Sequence, residues 1–256
     1  MKLSEEVAIV TGAGSGIGRA IALEFAKEGA DIVIAYSRND ANAQDSARMI
    51  EALGRRAMVS KTDVSDAEAV DTMFDAVARS FNRMDVLVNN AGVFLPGQLP
   101  DLPEASWDRV LDVDLKGSFL CTRAFARYLK TVGKPGKVIN IGSVHGTRTW
   151  KGVSNYAAAK GGLINLTRAM ALDLAEYGIN VNLVSPGAID VEAERDARNA
   201  QEDFMVRVEK EIPLKRMGRP SEVASLVLFL ASKDSDYITG AEIVIDGGLL
   251  LYPFTV

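Results

Sequence analysis

Tyr156 and Lys160 stand four residues apart in Tyr156-Ala-Ala-Ala-Lys160. On a helix that spacing puts a phenol and an ammonium on one face. A free phenol ionises near ~10, too high for a good base at neutral pH. A fixed positive charge beside it favours the phenolate and so proton exchange with a substrate oxygen. Ser143, just past a β-branched run, adds a hydroxyl that can hold that oxygen. Taken alone, a Tyr-x3-Lys pair is mostly an exposed helix pair. The rest of the chain offers little competing chemistry. Among 256 residues there is one cysteine, Cys121, and one histidine, His145. They can form neither an internal disulfide nor a four-ligand zinc site, and no metal site is expected. The two-histidine metalloprotease motif is excluded, and any histidine-dependent triad would have to use His145. Hydroxyls, amines, carboxylates, backbone or a borrowed cofactor are left.

Thr11–Gly18 (TGAGSGIG) joins the apolar run Val7–Val10 to a helical pattern beginning near Ile17. Gly12, Gly16 and Gly18, with Ser15 and Ile17 between them, follow a Gly-x3-Gly-x-Gly spacing. Missing Cβ atoms let a pyrophosphate approach the backbone, and the helix N-terminus supplies N–H donors and a positive dipole end. An ordinary tight turn would show the same glycines. Their place inside the first strand–helix unit points instead to a dinucleotide. At the end of the second strand stands Tyr36-Ser37-Arg38, with no acidic residue to hold a ribose 2′-OH. An arginine fork beside a hydroxyl suits a 2′-phosphate, so NADP is expected over NAD. NAD is the alternative if Arg38 is only a solvated loop charge.

The elements that must position these groups are legible as an alternation. Strands are expected at Val7–Val10, Ile32–Tyr36, Ala57–Lys61, Val86–Val88, Lys137–Ile141, Ile179–Val184 and Glu242–Ile245. Helical patterns lie between them, for example Val70, Met73, Phe74, Val77 and Phe81 on one face. Asp40 is the expected cap of the second helix, and Ser106 that of a helix running to about Tyr128. Strands apolar on both faces and separated by helices imply an α/β protein. The expectation is a single-domain, Rossmann-type, doubly wound parallel sheet of about seven strands, with helices on both faces. Asp190–Glu211 is charged and weakly periodic, and a helical substrate flap is expected at about 190–212. A net charge of -5 argues against nucleic acid as a partner. Apolar runs such as Leu226–Ala231 fall far short of the ~20 residues needed to span a bilayer. Glu5 and Glu6 precede any apolar stretch, unlike a signal peptide, so a cytoplasmic protein is expected.

Together, Thr11–Gly18, Asn89-Asn90-Ala91-Gly92, Ser143, Tyr156-x3-Lys160 and Pro186-Gly187 resemble the short-chain dehydrogenase/reductase family. The resemblance runs from Val7 to Asp246-Gly247-Gly248. It implies Tyr156 as general acid/base, Lys160 as its tuner and a ligand of the nicotinamide ribose, and Ser143 as donor to the substrate oxygen. It implies that Asp63 and Val64 meet adenine, that Asn90, Ala91 and Gly92 line the cofactor, and that Pro186, Gly187 and Ile189 hold the carboxamide. A homotetramer is implied as well, and apolar Leu249–Leu251 and Tyr252-Pro253-Phe254 would suit a subunit contact. Two positions depart from the family pattern. Asp114 replaces an asparagine that helps hold a water in the proton relay, so a working but altered relay is expected, with Lys160 kept protonated. Val191 stands where a threonine often follows the Pro-Gly pair.

The expected substrate is a small carbonyl or alcohol. Ser143-Val144-His145, Ser185–Ile189 and the Asp246–Phe254 tail resemble bacterial glucose 1-dehydrogenases, and His145 could reach a sugar hydroxyl. Phe94 stands where those enzymes carry a glutamate, and Trp150 with Phe94 would make a more apolar mouth. The alternative is a 3-oxoacyl-[acyl-carrier-protein] reductase, whose acidic partner would want basic residues at the entrance. Arg123, Arg127, Lys130, Lys134 and Lys137 are the candidates. A non-catalytic NADP-binding regulator and a methyltransferase on a similar sheet are remoter readings.

Overall fold

The computed structural model describes residues 1–191 and 208–251. Seven strands form one sheet: β1 (Val7–Thr11), β2 (Asp31–Tyr36), β3 (Ala57–Lys61), β4 (Val86–Asn89), β5 (Gly136–Ile141), β6 (Ile179–Pro186) and β7 (Glu242–Ile245). Their order is β3-β2-β1-β4-β5-β6-β7, and every neighbouring pair is parallel. The helices are α1 (Gly16–Lys27), α2 (Asp40–Ala52), α3 (Ala67–Phe81), α4 (Glu104–Leu111), α5 (Gly117–Val132), α6 (Ser154–Leu174) and α7 (Pro220–Ala231). The sequence order crosses from β3 back to β4 beside β1. Next to that reversal the strand ends leave a crevice, the usual ligand position in such sheets.

Period-two alternation divides the core between the two faces. Ala8, Val10, Ile32, Ile34, Val86 and Val88 pack with Phe25, Ile50 and Val227, under α1, α2 and α7. Val7, Ile9, Val33, Leu87 and Val138 pack with Phe74, Phe125 and Leu129, under α3 and α5. This is the Rossmann-type, doubly wound arrangement expected from the sequence.

Two expected caps are corrected. Asn39, not Asp40, caps α2: it sits at φ 62° and its side chain accepts from the Asn42 N–H. Asparagine enters that left-handed region at modest cost, and its short amide reaches the free donor. Pro103, not Ser106, precedes α4, and Glu104 occupies the first turn, where a carboxylate favours the helix dipole. The helix expected to run unbroken to about Tyr128 is interrupted. Asp112–Lys116 forms a π turn between α4 and α5. Of the expected flap, the described ends are Asp190-Val191 and a helical stretch at 208–211, while 192–207 lie outside the described residues, as does Tyr252-Pro253-Phe254. No helix among the described residues is long and apolar enough to cross a membrane.

Candidate active site

The carboxyl ends of β1, β4, β5 and β6 converge on a cavity of about 580 Å³. Its floor on the β1 side is the glycine turn. Gly12 holds φ 67°, and a Cβ on Gly18 would collide with the Gly12 carbonyl, so the turn folds back tightly on itself. Ser15 at the N-cap of α1 makes no side-chain cap bond, and the first turn has no acidic residue. The first amides of α1 therefore face the turn without a side-chain cap and without a competing carboxylate, a donor set fit for an anion. Gly12, Ser15, Gly16, Ile17 and Gly18 all line the cavity.

The opposite wall is held by hydrogen bonds from β1. The Thr11 hydroxyl accepts from the Asn90 and Ala91 amides at 2.9 Å, and the Asn90 side chain donates to the Thr11 carbonyl at 2.9 Å. Asn90, Ala91 and Gly92 are thereby presented to the cavity. Asn89, the residue before them, turns the other way. Its amide donates to the Asn140 side chain at 2.8 Å and to the Thr122 hydroxyl at 3.0 Å, and Asn140 donates to the Thr167 hydroxyl at 2.8 Å. This buried chain links β4, α5, β5 and α6 directly below the site.

Ser143, Tyr156 and Lys160 meet in the cavity. Ser143 caps a short 3-10 turn at Val144–Gly146, and its oxygen accepts from the His145 N–H at 3.2 Å. A hydroxyl that accepts there keeps its proton to donate elsewhere. Lys160 is buried. Its Nζ donates to the Ile141 carbonyl at 3.1 Å, lies 3.1 Å from Asp114 Oδ2, and sits 5.4 Å from the centre of the Tyr156 ring. Asp114 Oδ1 accepts from the Val93 N–H at 2.8 Å. Burial disfavours the ammonium, but the nearby negative charges, Asp114 first, outweigh it, and Lys160 is raised above the ordinary lysine range. The start of α6 is fixed by Asn155, whose side chain donates to the Leu95 carbonyl at 2.9 Å and accepts from the Tyr156 N–H at 2.8 Å.

The mouth is aromatic. Phe94 meets the Tyr156 ring edge-on at 5.2 Å, and His145 meets Trp150 at 4.2 Å and Tyr156 at 5.7 Å. Phe94 is 53% exposed and Trp150 48%. Burial lowers the His145 pKa, so the ring is neutral near pH 7, and its Nδ1 lies 3.2 Å from the Thr149 hydroxyl. Pro186, Gly187 and Ile189 line the β6 side, with the Gly187 amide donating to Ile245 at 2.9 Å.

Other expected residues stand apart from this cavity. Ser37 and Arg38 are exposed just past β2. Asp63 follows β3 with its carboxylate engaged: Oδ1 accepts from the Ser65 amide and hydroxyl, and Oδ2 pairs with Arg109 at 2.9 Å. Val64 is buried, packed where a Cβ on Gly117 would fall. None of the five basic candidates lines the cavity. Arg123, Arg127 and Lys130 border a separate groove between α5 and α6, and Lys137 pairs with Asp236 near the amino end of β5. Several lining residues went unnoticed in the sequence: Gly142, Val208 and Met217. Leu249, expected at a subunit contact, also lines the cavity. Asn155 and Thr11 were also missed, although a polar residue directly before the tyrosine and one ending β1 were available as signals.

A family model described as enoyl-(acyl carrier protein) reductase matches residues 12–250. The chain is 37% identical over 252 residues to 3beta-hydroxysteroid dehydrogenase 1 of Eggerthella lenta, covering 98% of this chain and 96% of that protein. It is 35% identical over 252 residues to glucose 1-dehydrogenase 2 of Bacillus subtilis, covering 98% and 97%. A solved structure from Agrobacterium tumefaciens, provisionally assigned as a 2-deoxy-d-gluconate 3-dehydrogenase with bound NADP, matches with TM-score 0.90 at 35% identity and 98% coverage of each chain. Likeness at this identity, over almost the full length of each relative, shows that the chain belongs to the short-chain dehydrogenase/reductase family of oxidoreductases.

Proposed function

We propose that this protein is an NADP-preferring oxidoreductase interconverting an alcohol and a carbonyl compound, with Tyr156 as the general acid/base. The observation that carries the reading is one cavity holding Ser143, Tyr156 and Lys160 beside an uncapped glycine turn. The dinucleotide would lie with its pyrophosphate over Gly12, Ser15, Gly16, Ile17 and Gly18. Ser37 and Arg38 would take the 2′-phosphate, Asp63 and Val64 the adenine, and Asn90, Ala91 and Gly92 the middle of the cofactor. Pro186, Gly187 and Ile189 would hold the carboxamide, and Tyr156 and Lys160 the nicotinamide ribose. An ammonium has three donors; Ile141 occupies one, and the others remain for that ribose. Bound there, the nicotinamide supplies the hydride acceptor or donor.

The chain's own work is to handle the proton. In reduction, Tyr156 Oη–H gives its proton to the carbonyl oxygen, which Ser143 holds by its free hydroxyl hydrogen. In oxidation, the alcohol O–H proton returns to Tyr156 as the carbinol carbon loses its hydrogen with the bonding pair. Asp114 acts through Lys160.

The mouth favours a ring-bearing or compact apolar skeleton, because Phe94 and Trp150 offer ring faces and few hydrogen bonds. A sugar is the second reading, supported by His145 at the same mouth and by the glucose 1-dehydrogenase relative. A carrier-protein reductase gains nothing from Arg123, Arg127 or Lys130, which border another groove. The intact Ser143, Tyr156 and Lys160 speak against a non-catalytic regulator. A lone buried Cys121 suits a cytoplasmic protein. The assembly is read as a homotetramer, and Leu172 of α6, 81% exposed, is an apolar side chain that a subunit contact would cover.

The test is a panel of sugars, polyols, cyclic and acyclic ketones and 3-oxoacyl thioesters with each cofactor, followed by nicotinamide absorbance. The expected result is turnover of cyclic ketones, with kcat/KM about tenfold or more higher with NADPH than NADH. A clear NADH preference would remove the role given to Arg38.

A further inference from the structure

Asp114 is a carboxylate with almost no contact with water, 1% exposed, placed in the cavity by the π turn. Oδ1 is taken by the Val93 amide. Oδ2 lies 3.1 Å from Lys160 Nζ as an ion pair and has no hydrogen-bond partner among the described residues. Unlike a surface ion pair, this one is shielded from solvent on both sides, with side chains 5% and 0% exposed. Its charges therefore act strongly on whatever lies beside them.

What lies beside them is Tyr156, whose ring centre is 5.4 Å from Lys160 Nζ. A lone ammonium there would draw the proton off the phenol. A carboxylate in contact with that ammonium cancels much of its field. Asp114, from the π turn, and Lys160, from α6, carry the only full charges among the described side chains lining the cavity. The third titratable neighbour, His145, from the turn after β5, is neutral near pH 7. Around Tyr156 the site is thus close to charge-balanced.

Resting on Tyr156 as the acid/base, we infer that Asp114 keeps the Tyr156 phenol in its proton-donating form near neutral pH and so tilts this site toward carbonyl reduction. Asp114 is a positioning residue here, acting through Lys160. A neutral amide at 114 would leave the ammonium uncompensated and let the phenol release its proton at lower pH.

The experiment titrates tyrosinate absorbance in the cofactor-free protein, with Asp114→Asn and the parent chain each referenced to its own Tyr156→Phe form, which isolates one phenol among six tyrosines. In Asp114→Asn that phenol should titrate about one to two pH units lower. The acid limb of the oxidation pH–rate profile should fall with it. Asp114→Ser, smaller and equally neutral, should shift both the same way. Unchanged titration in both variants, or an upward shift in either, overturns the inference. The reading of Tyr156 itself fails separately, if Tyr156→Phe retains turnover, because the titration needs no reaction.

Discussion

Lys160 has its ammonium between a carbonyl and a carboxylate, at 3.1 Å from each. Burial alone would discharge it; the contact with Asp114 is what keeps it charged beside Tyr156. Asn155 and Thr11 are also held by named partners: the Asn155 amide donates to the Leu95 carbonyl and accepts from Tyr156 N–H, and the Thr11 hydroxyl accepts from Asn90 N–H. Glu6, at the amino edge of the sheet, is the contrast. Burial first, and then the nearby Asp85 charge, raise its carboxyl to about 7 against the pull of Arg83, Lys233 and Lys137. An acid raised in the folded state binds its proton more tightly than in the unfolded chain. Between the ordinary carboxylate range and about 7 the unfolded chain is already ionised, so stability falls as pH rises through that window. Glu6→Gln should therefore raise the melting temperature by a few degrees at about pH 8 and by little at about pH 5. An equal gain at both pH values would show that the carboxyl is not the cause. Tyr156, Lys160 and Ser143 were legible as chemistry because their types and spacing have few other uses together. Asp114 was legible as a departure, but its pairing with Lys160 through Oδ2 is a three-dimensional fact.

The strands were legible as elements because residues such as Val7–Val10 are apolar on both faces, which only a covered parallel sheet allows. Helix α7 carries both of its end signals in the sequence, since Pro220 opens it and its apolar residues run to Ala231. The misread starts have a common cause. Several polar residues near a helix start can cap it, and the backbone angle of Asn39 decides among them without leaving a mark in the sequence. The π turn is subtler. Asp112–Lys116 is helical by composition and continues α4 into α5, yet it adds a residue to the turn and brings Asp114 to Lys160. No periodicity over five residues separates that turn from an ordinary α-helix.

For the whole molecule, two apolar layers hold the sheet, and the carboxyl ends of its central strands are left to build one cavity. Composition and charge narrow the class, but they cannot place Leu249 and Met217 at that cavity, because both reach it from the far end of the chain. The exposed apolar side chains Phe119 on α5 and Leu172 on α6 bear on assembly. Sedimentation equilibrium should give about four times the 27.5 kDa chain mass, and a monomer would reject the tetramer. The central claim is that Tyr156 moves the proton while the rest of the cavity holds the cofactor. Its most direct test compares Tyr156→Phe with the parent chain for turnover and for NADPH binding by fluorescence. Turnover should fall by at least about a hundredfold with binding nearly unchanged. Retained turnover would contradict it.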